Sequence, residues 1–169
     1  MYYPSWVVAG DEQVYEQNMP WYSVIHEVAA KRRPSIVTEF GVRAGYSARI
    51  LHEACNPTII GYEGDVDVET RGWWKHAISI VPNLQLMLAN TMKLERIAPC
   101  DLVLVDADHS YEGACHELEL AINACEYVLV DDYNSSDVSR AVKLNLEAYP
   151  DFELIDLQFD RVAHLRKKV

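Results

Sequence analysis

Short apolar runs alternate with longer amphipathic segments along most of the chain. The short runs predict five β-strands, at 35–40, 58–63, 84–89, 101–106 and 126–131. Segments with apolar residues three and four positions apart predict helices, at 20–33, 46–55, 70–80, 91–97, 111–125 and 136–149. From residue 152 onward the pattern predicts two strands joined by a tight turn near Phe159 and Asp160.

This order of elements predicts an α/β fold. Strands that alternate with helices form a parallel sheet with helices on both faces, and the terminal hairpin adds an antiparallel pair at one edge. The expected architecture is a Rossmann-like three-layer sandwich around a mostly parallel, seven-stranded sheet with an antiparallel C-terminal hairpin. The chain of 169 residues predicts a single domain, with 1–33 as a helical, aromatic segment that packs on or caps the core.

Acidic residues follow the fourth and fifth predicted strands directly. Residues 101–112 read DLVLVDADHSYE, and residues 126–134 read EYVLVDDYN. Ligands of such sheets bind at the carboxyl ends of the strands, near the point where the strand order reverses. The acids therefore mark the candidate functional edge, and they are Asp106, Asp108, Asp131 and Asp132, with His109 beside them.

These acids suggest a metal site. If the two strands are neighbours, their acids lie ~4.8 Å apart and repel each other by roughly 3 kcal/mol at an effective dielectric near 20. A divalent cation would remove that repulsion, and carboxylate oxygens suit Mg²⁺, Mn²⁺ or Ca²⁺. The first hypothesis is Mg²⁺ or Mn²⁺ held by Asp106, Asp131 and Asp132. The alternative is that Asp106 or Asp131 contacts an organic ligand or caps a helix, without a metal.

The turn after the first strand, at 39–47, reads EFGVRAGYS. Its glycines, Gly41 and Gly45, would allow a tight turn and the close approach of a ligand to a helix start. A dinucleotide site has G-x-G-x-x-G, whereas this turn has G-x-x-x-G with Arg43 inside it. Glu39 would repel a pyrophosphate and suits a ligand with a cationic group. An ordinary strand-to-helix turn is the alternative.

Polar residues also end the second and third strands. Glu63 is at the position where an acid binds the ribose hydroxyls in related sheets. Asp65 is the second candidate for this role. The alternative is that Glu63 is a solvated loop residue. Asn90 and Thr91 either cap the next helix or line an adenine pocket.

Composition limits the partners. The net charge of −11 disfavours nucleic acid, and no apolar run approaches the ~18 residues that would span a membrane. The four cysteines form no C-x-x-C pair and suit reduced thiols in a cytoplasmic protein. Two dense basic runs, 31–33 and 166–168, are expected to be solvated ends of elements.

Taken together, these segments resemble class I S-adenosylmethionine-dependent methyltransferases, and most closely the group called methyltransferase domain 24. The resemblance covers about residues 35–145 and is most specific at D-x-D-H-S-Y-E. It implies that S-adenosylmethionine contacts residues of the first turn and of the second and third strand ends, namely Glu39, Gly41, Gly45, Ser47, Glu63, Asn90 and Thr91. It also implies a catalytic pair, His109 as base with Asp106. Asp131 stands where the family often has histidine, which adds a carboxylate.

The predicted activity is methyl transfer to a hydroxyl of a small molecule, sugar-like or catechol-like, with assistance from a divalent metal. The absence of a long insertion predicts a small polar acceptor, or closure of the site by a second subunit in a homodimer. Two alternatives remain open: a binding module that holds the cofactor without catalysis, and a metal-dependent α/β hydrolase.

Overall fold

A computed structural model describes residues 3–64 and 68–168 of the chain. Seven strands form one sheet in the order β3-β2-β1-β4-β5-β7-β6. Their bounds are Ile36–Phe40 (β1), Thr58–Glu63 (β2), Leu84–Leu88 (β3), Leu102–Val105 (β4), Tyr127–Val130 (β5), Phe152–Gln158 (β6) and Val162–Lys167 (β7). The first five strands are parallel, and β7 runs antiparallel to both β5 and β6. The predicted sandwich with its terminal hairpin is therefore confirmed.

Six α-helices accompany the sheet in the described residues. They are Glu12–Gln17 (α1), Met19–Arg32 (α2), Tyr46–Cys55 (α3), Val68–Ile80 (α4), Tyr111–Ala124 (α5) and Ser136–Ala148 (α6). None of them is long and apolar enough to cross a bilayer.

One local prediction was wrong, and one short helix was missed. The helix predicted at 91–97 is a single 3₁₀ turn, Thr91–Lys93, because an isolated helix of a few residues gains too little from its backbone bonds to propagate. The short helix α1 was not predicted, because it is stabilised by the packing of Tyr15 more than by an apolar stripe.

The central strands are buried on both faces. Leu102 and Leu104 of β4 belong to a core packed under α2 and α3, whereas Val103 and Val105 belong to a core packed under α5 and α6. Continuous apolar strands of this kind are expected at the centre of a parallel sheet. Burial on both faces fixes the strand ends that carry the acidic residues.

The closing hairpin turns at Phe159 and Asp160, both of which have a left-handed backbone with φ of 56° and 52°. Two successive left-handed residues match the right-handed twist of the flanking strands. The turn was predicted at these residues, and it places Arg161 at the start of β7.

Candidate active site

The site is a cavity of about 460 Å³ at the carboxyl edge of the sheet. It opens where β1 lies between β2 and β4, so that the strand order reverses beside the first turn. Its wall is built from that turn, the end of β4, the start of β7 and the N-terminal helices. This is the edge that the acidic strand ends predicted.

The glycines of the first turn allow close packing of the backbone. Gly41 has a φ of 85°, and a Cβ added to it would lie 2.3 Å from the backbone oxygen of Asp106. Gly45 has a φ of 80°, and its Cβ would lie 2.6 Å from the Cβ of Ala77 in α4. At both glycines the space that a Cβ would need is filled by protein, so each glycine is required for the shape of the turn. The backbone of Gly41 also lines the cavity.

Glu39 is fully buried at the end of β1. One carboxyl oxygen accepts a hydrogen bond from the Ser47 hydroxyl at the start of α3. The other, Oε2, is buried without a hydrogen-bond partner among the described residues. Burial raises the pKa of Glu39 to about 8, so the free protein holds this carboxyl largely protonated at neutral pH. Ser47 lines the cavity, and Glu39 lies directly behind it through this hydrogen bond.

Glu63 lines the cavity from the end of β2. Its Oε2 accepts a hydrogen bond from the backbone N–H of Arg43 at 2.8 Å, and its Oε1 accepts one from the N–H of Gly64 at 3.1 Å. An ionised carboxylate has about four acceptor positions, so Glu63 retains capacity for a further donor. Asp65, the second candidate for the ribose hydroxyls, lies outside the described residues.

Asn90 and Thr91 do not line this cavity. The Asn90 side chain caps the 3₁₀ turn by accepting from the N–H of Met92 at 2.9 Å, as the capping interpretation predicted. Thr91 is buried and donates its hydroxyl proton to Glu117 at 2.7 Å. In the structure both side chains are used within the protein, Asn90 as the cap of this turn and Thr91 in its bond to Glu117.

His109 lies between two carboxylates at the rim of the cavity. Its Nε2 is 3.5 Å from Oδ1 of Asp106, and its Nδ1 is 3.2 Å from Oδ2 of Asp132. The bond to Asp106 raises the pKa of His109 to about 8. Burial raises the pKa of Asp106 to about 6. The predicted pair of Asp106 and His109 is thus brought together, and Asp132 joins it.

Asp131 points instead to Arg161. It is 2% exposed, and it accepts hydrogen bonds from Nε of Arg161 at 2.7 Å and from Nη2 at 2.5 Å. Nε of Arg161 also lies 3.2 Å from Oδ1 of Asp132. A guanidinium held by two carboxylate oxygens forms the strongest type of charged hydrogen-bond pair.

Arg161 also holds the N-terminal segment in place. Its Nη1 donates to the backbone oxygen of Gln17 at 3.1 Å, and its Nη2 donates to Oδ1 of Asn18 at 2.7 Å. Asn18 lines the cavity together with Asp11, Val14 and Tyr22. One side chain thus connects the acidic strand ends to the segment that covers the site.

Aromatic packing fixes the rest of this cover. The ring of Tyr46, in the first turn of α3, lies 5.8 Å from that of Tyr15, 5.9 Å from that of Trp6 and 6.5 Å from that of Tyr22. The Tyr46 hydroxyl accepts a hydrogen bond from the N–H of Val8 at 3.0 Å. The N-terminal segment therefore packs on the core and caps the cavity at the same time.

The acidic cluster fits a metal ion poorly. Both oxygens of Asp131 are bound by Arg161, and in the part of the chain that the structure describes no three acidic, histidine or cysteine side chains are grouped to hold a metal. Arg161 supplies the positive charge that offsets the repulsion between the carboxylates at the ends of β4 and β5. No sequence motif marked this arginine, because it lies in a hairpin turn 30 residues after Asp131.

The residues in and beside the cavity fit S-adenosylmethionine better than they fit a metal ion. Its methionine part carries an ammonium group, and the unpartnered Oε2 of Glu39 is an acceptor buried next to the cavity wall. Glu63 is at the wall where a ribose diol is expected. Arg43, whose guanidinium lies 4.7 Å from the ring centre of Trp73, adds a cation at the same wall.

Two comparisons with known proteins, by family and by sequence, find no relative of the chain. No family model matches the chain, and no curated protein matches it. The narrower resemblance to the domain 24 group therefore stays a prediction.

Solved structures are similar over most of the chain. The O-methyltransferase TomG of Streptomyces achromogenes, in complex with S-adenosylmethionine, is 17% identical, covers 89% of this chain and 80% of its own, and has a TM-score of 0.65. The methyltransferase PaMTH1 of Podospora anserina, bound to S-adenosylhomocysteine, is 17% identical. The match covers 88% of this chain and 78% of PaMTH1, with a TM-score of 0.69. An O-methyltransferase of Bacillus cereus, in complex with S-adenosylhomocysteine, is 14% identical. The match covers 96% of this chain and 81% of that protein, with a TM-score of 0.63. The chain has the fold of class I methyltransferases.

Proposed function

We propose that the protein is a methyltransferase that uses S-adenosylmethionine to methylate a hydroxyl group of a small molecule. The observation that carries the proposal is a histidine held between two carboxylates at the rim of a cavity, at the carboxyl edge of a class I methyltransferase sheet. S-adenosylmethionine supplies a methyl group activated by a sulfonium sulfur. The protein has to hold this donor, align the acceptor and remove its proton.

Cofactor binding is assigned to the first turn and the end of β2. Glu39 ionises when an ammonium group approaches, because a nearby positive charge favours the carboxylate. Ser47 orients Glu39 from the cavity wall. Glu63 accepts the ribose hydroxyls while it continues to hold the N–H of Arg43. Asn90 and Thr91 contribute by fixing the loop after β3, through the cap of the 3₁₀ turn and the bond to Glu117.

His109 is the proposed base. In its neutral form, one ring nitrogen can accept a proton from the acceptor hydroxyl while the other keeps its bond to a carboxylate. Asp106 and Asp132 stabilise the imidazolium that results. Proton removal and methyl transfer then occur on the same acceptor oxygen.

The proposed reaction has no metal step, although the carboxylates alone suggested Mg²⁺ or Mn²⁺. Arg161 already neutralises Asp131. It also fixes Asn18 in the cover, so it positions the wall of the acceptor site.

The cover argues for a small acceptor. Val14, Asn18 and Tyr22 close one side of a cavity of about 460 Å³, a volume typical of small-ligand sites. The net charge of −11 disfavours a polynucleotide acceptor. The fold alone does not select the acceptor, because similar structures include one named for RNA methylation. A homodimer and a cytoplasmic location stay predictions from the sequence.

Calorimetric titration with S-adenosylhomocysteine tests the cofactor assignment. The wild-type protein is expected to bind one equivalent, and Glu63→Gln is expected to bind about tenfold more weakly, since one charged hydrogen-bond partner is lost. Glu147→Gln, an exposed change on α6, is the matched control and should bind like the wild type. No binding by the wild-type protein would overturn the proposal.

Transfer of labelled methyl from S-adenosylmethionine to a panel of sugars and catechols separates an enzyme from a binding module. Product formation that requires His109 supports catalysis. Binding without product from any acceptor class would favour the binding module, and hydrolysis without cofactor binding would favour the hydrolase.

A further inference from the structure

A cavity of about 820 Å³ lies at the opposite edge of the sheet, at the amino ends of β4 and β5. The two dense basic runs of the sequence meet there, since Arg32 and Arg33 end α2 whereas Arg166 and Lys167 end β7. Both runs are mostly exposed ends of elements, as the sequence predicted. Together they form a local basic patch on a protein of net charge −11, and the proposed methyl transfer uses none of these residues.

Two cysteines line the same cavity, and the strand register places them side by side. Val103 of β4 pairs with Val128 of β5, and Cys100 and Cys125 each stand three residues before these partners. The N–H of Cys100 donates to the backbone oxygen of Ala124, the residue before Cys125, at 3.2 Å, which keeps the same offset between the two chain segments. Their Cα atoms are therefore about one strand spacing apart, ~4.8 Å, within the range of roughly 4.4–6.8 Å found for disulfides.

The two thiols differ in reactivity. Cys125 is 8% exposed, whereas Cys100 is partly open to the cavity. The Cys125 thiol has one proton and three acceptors in reach: the backbone oxygens of Ala121 at 3.3 Å and Tyr127 at 3.1 Å, and the sulfur of Cys100. Donation to Cys100 lowers the pKa of the Cys100 thiol to about 7. Cys100 is thus the nucleophile of the pair, because it is the thiol that a reagent in the cavity can reach and because the thiolate is the reactive form.

We propose that Cys100 is a modification site for small anionic disulfides, with Cys125 as the resolving thiol. The Cys100 thiolate attacks one sulfur of a disulfide R–S–S–R, forms a mixed disulfide and releases R–S⁻. Cys125 then gives up its proton to the released thiolate and attacks the Cys100 sulfur, which expels a second R–S⁻. In sum, two protein thiols are oxidised to the Cys100–Cys125 disulfide and one R–S–S–R is reduced to two thiols.

The charge of the cavity defines the preferred reagent. Four cationic side chains and two acids, Asp101 and Glu126, line the cavity. Asp101 accepts hydrogen bonds from the N–H groups of Ser35 at 2.7 Å and Ile36 at 3.0 Å. Arg166 and Lys167 lie 2.8 Å and 3.7 Å from the carboxylates of Glu153 and Asp151, which do not line the cavity, so the lining keeps an excess of positive charge. Anionic disulfides should therefore be concentrated near Cys100. The other two thiols, Cys55 and Cys115, serve as internal controls, because burial raises the pKa of each.

Mass spectrometry of the native protein tests the proposal with three reagents that differ in charge: oxidised glutathione (anionic), hydroxyethyl disulfide (neutral) and cystamine (cationic). The wild-type protein should react fastest with oxidised glutathione and end with the Cys100–Cys125 disulfide. Cys125→Ala should stop at a stable glutathione adduct on Cys100, and Cys100→Ser should form neither product. These readouts do not depend on methyl transfer.

The double variant Arg33→Gln/Lys167→Gln tests the role of charge. It should react about tenfold more slowly with oxidised glutathione and at an unchanged rate with hydroxyethyl disulfide. Modification of Cys55 or Cys115 as fast as Cys100 would overturn the proposal. So would an equal rate for the anionic and cationic reagents, or the absence of an adduct on Cys125→Ala.

Discussion

Arg161 donates two hydrogen bonds to Asp131, from Nε to Oδ1 at 2.7 Å and from Nη2 to Oδ2 at 2.5 Å. The two residues lie 30 positions apart in the chain, and Asp131 is 2% exposed. The pair neutralises a buried carboxylate at the sheet edge where the proposed chemistry occurs. It also links that edge to Asn18 in the cover.

Loss of this pair should destabilise the protein. Arg161→Met leaves Asp131 buried without a counter-charge, and the free energy of unfolding should fall by about 3 kcal/mol. The double variant Arg161→Met/Asp131→Asn should regain part of that loss, because no unpaired charge remains. Urea unfolding measures both. Arg140→Met, which breaks an exposed pair with Asp137 at 3.4 Å, should cost less than about 1 kcal/mol; an equal cost for both arginines would contradict the assignment.

The same pair should exclude divalent metals. Mn²⁺ is expected to leave the melting temperature of the wild-type protein unchanged, because Arg161 occupies the oxygens of Asp131. Arg161→Met frees these oxygens beside Asp132, so Mn²⁺ should raise its melting temperature. Arg161→Met/Asp131→Asn is the control and should not respond. A rise in the wild-type protein that disappears in Asp131→Asn would restore the metal hypothesis.

The acceptor chemistry should follow the ionisation of His109. The neutral ring is the base, and the bond to Asp106 raises the pKa of His109 to about 8. We therefore expect kcat/KM for methyl transfer to rise with pH up to about 8 and then to level off. His109→Gln should lower kcat by about 10²–10⁴-fold without loss of S-adenosylhomocysteine binding.

The exposed His26 of α2 provides the control, since His26→Gln removes an imidazole that does not line the cavity. It should keep the wild-type rate and pH profile. Full turnover by His109→Gln would rule out the base role.

Glu39 should make the stability of the free protein depend on pH. Its pKa is about 8 in the folded protein and 4.5 in the reference state. Between these values the unfolded chain releases a proton that the folded protein retains, so the free energy of unfolding falls as pH rises and is lowest above about pH 8. Glu39→Gln cannot ionise, and its stability relative to the wild type should therefore improve from about pH 5 to about pH 8.

Urea unfolding of both proteins at the two pH values measures this difference, in which the contributions of the other titrating groups cancel. Glu27→Gln, at an exposed position of α2, should show no such trend. A constant difference between Glu39→Gln and the wild type would show that Glu39 is ionised in the free protein.

The sheet could be predicted from the sequence because its order follows from local patterns. The runs before Asp106 and Asp131 are apolar at every position, and only a strand buried on both faces requires this. The pairing of Asp106 with His109 is also local, since the two residues are three positions apart. Glu63 was placed by its position at a strand end.

The state of the acidic cluster could not be predicted in this way. Asp131 and Asp132 look alike in the sequence, yet both oxygens of Asp131 accept from Arg161, whereas Asp132 lies between Arg161 and His109. The left-handed backbone of Asp132, with a φ of 52°, turns the chain between them. Such a division depends on a hairpin that folds back from residues 152–167, and no periodicity in the sequence carries that information.

The tether between Arg161 and Asn18 joins positions 143 residues apart. On the ribosome, the segment around Asn18 emerges long before the arginine that holds it has been synthesised. A nascent chain can therefore form this hydrogen bond only after its final hairpin has been made. A chain cut short before that hairpin would keep the aromatic packing on Tyr46 but would lack the bond to Arg161.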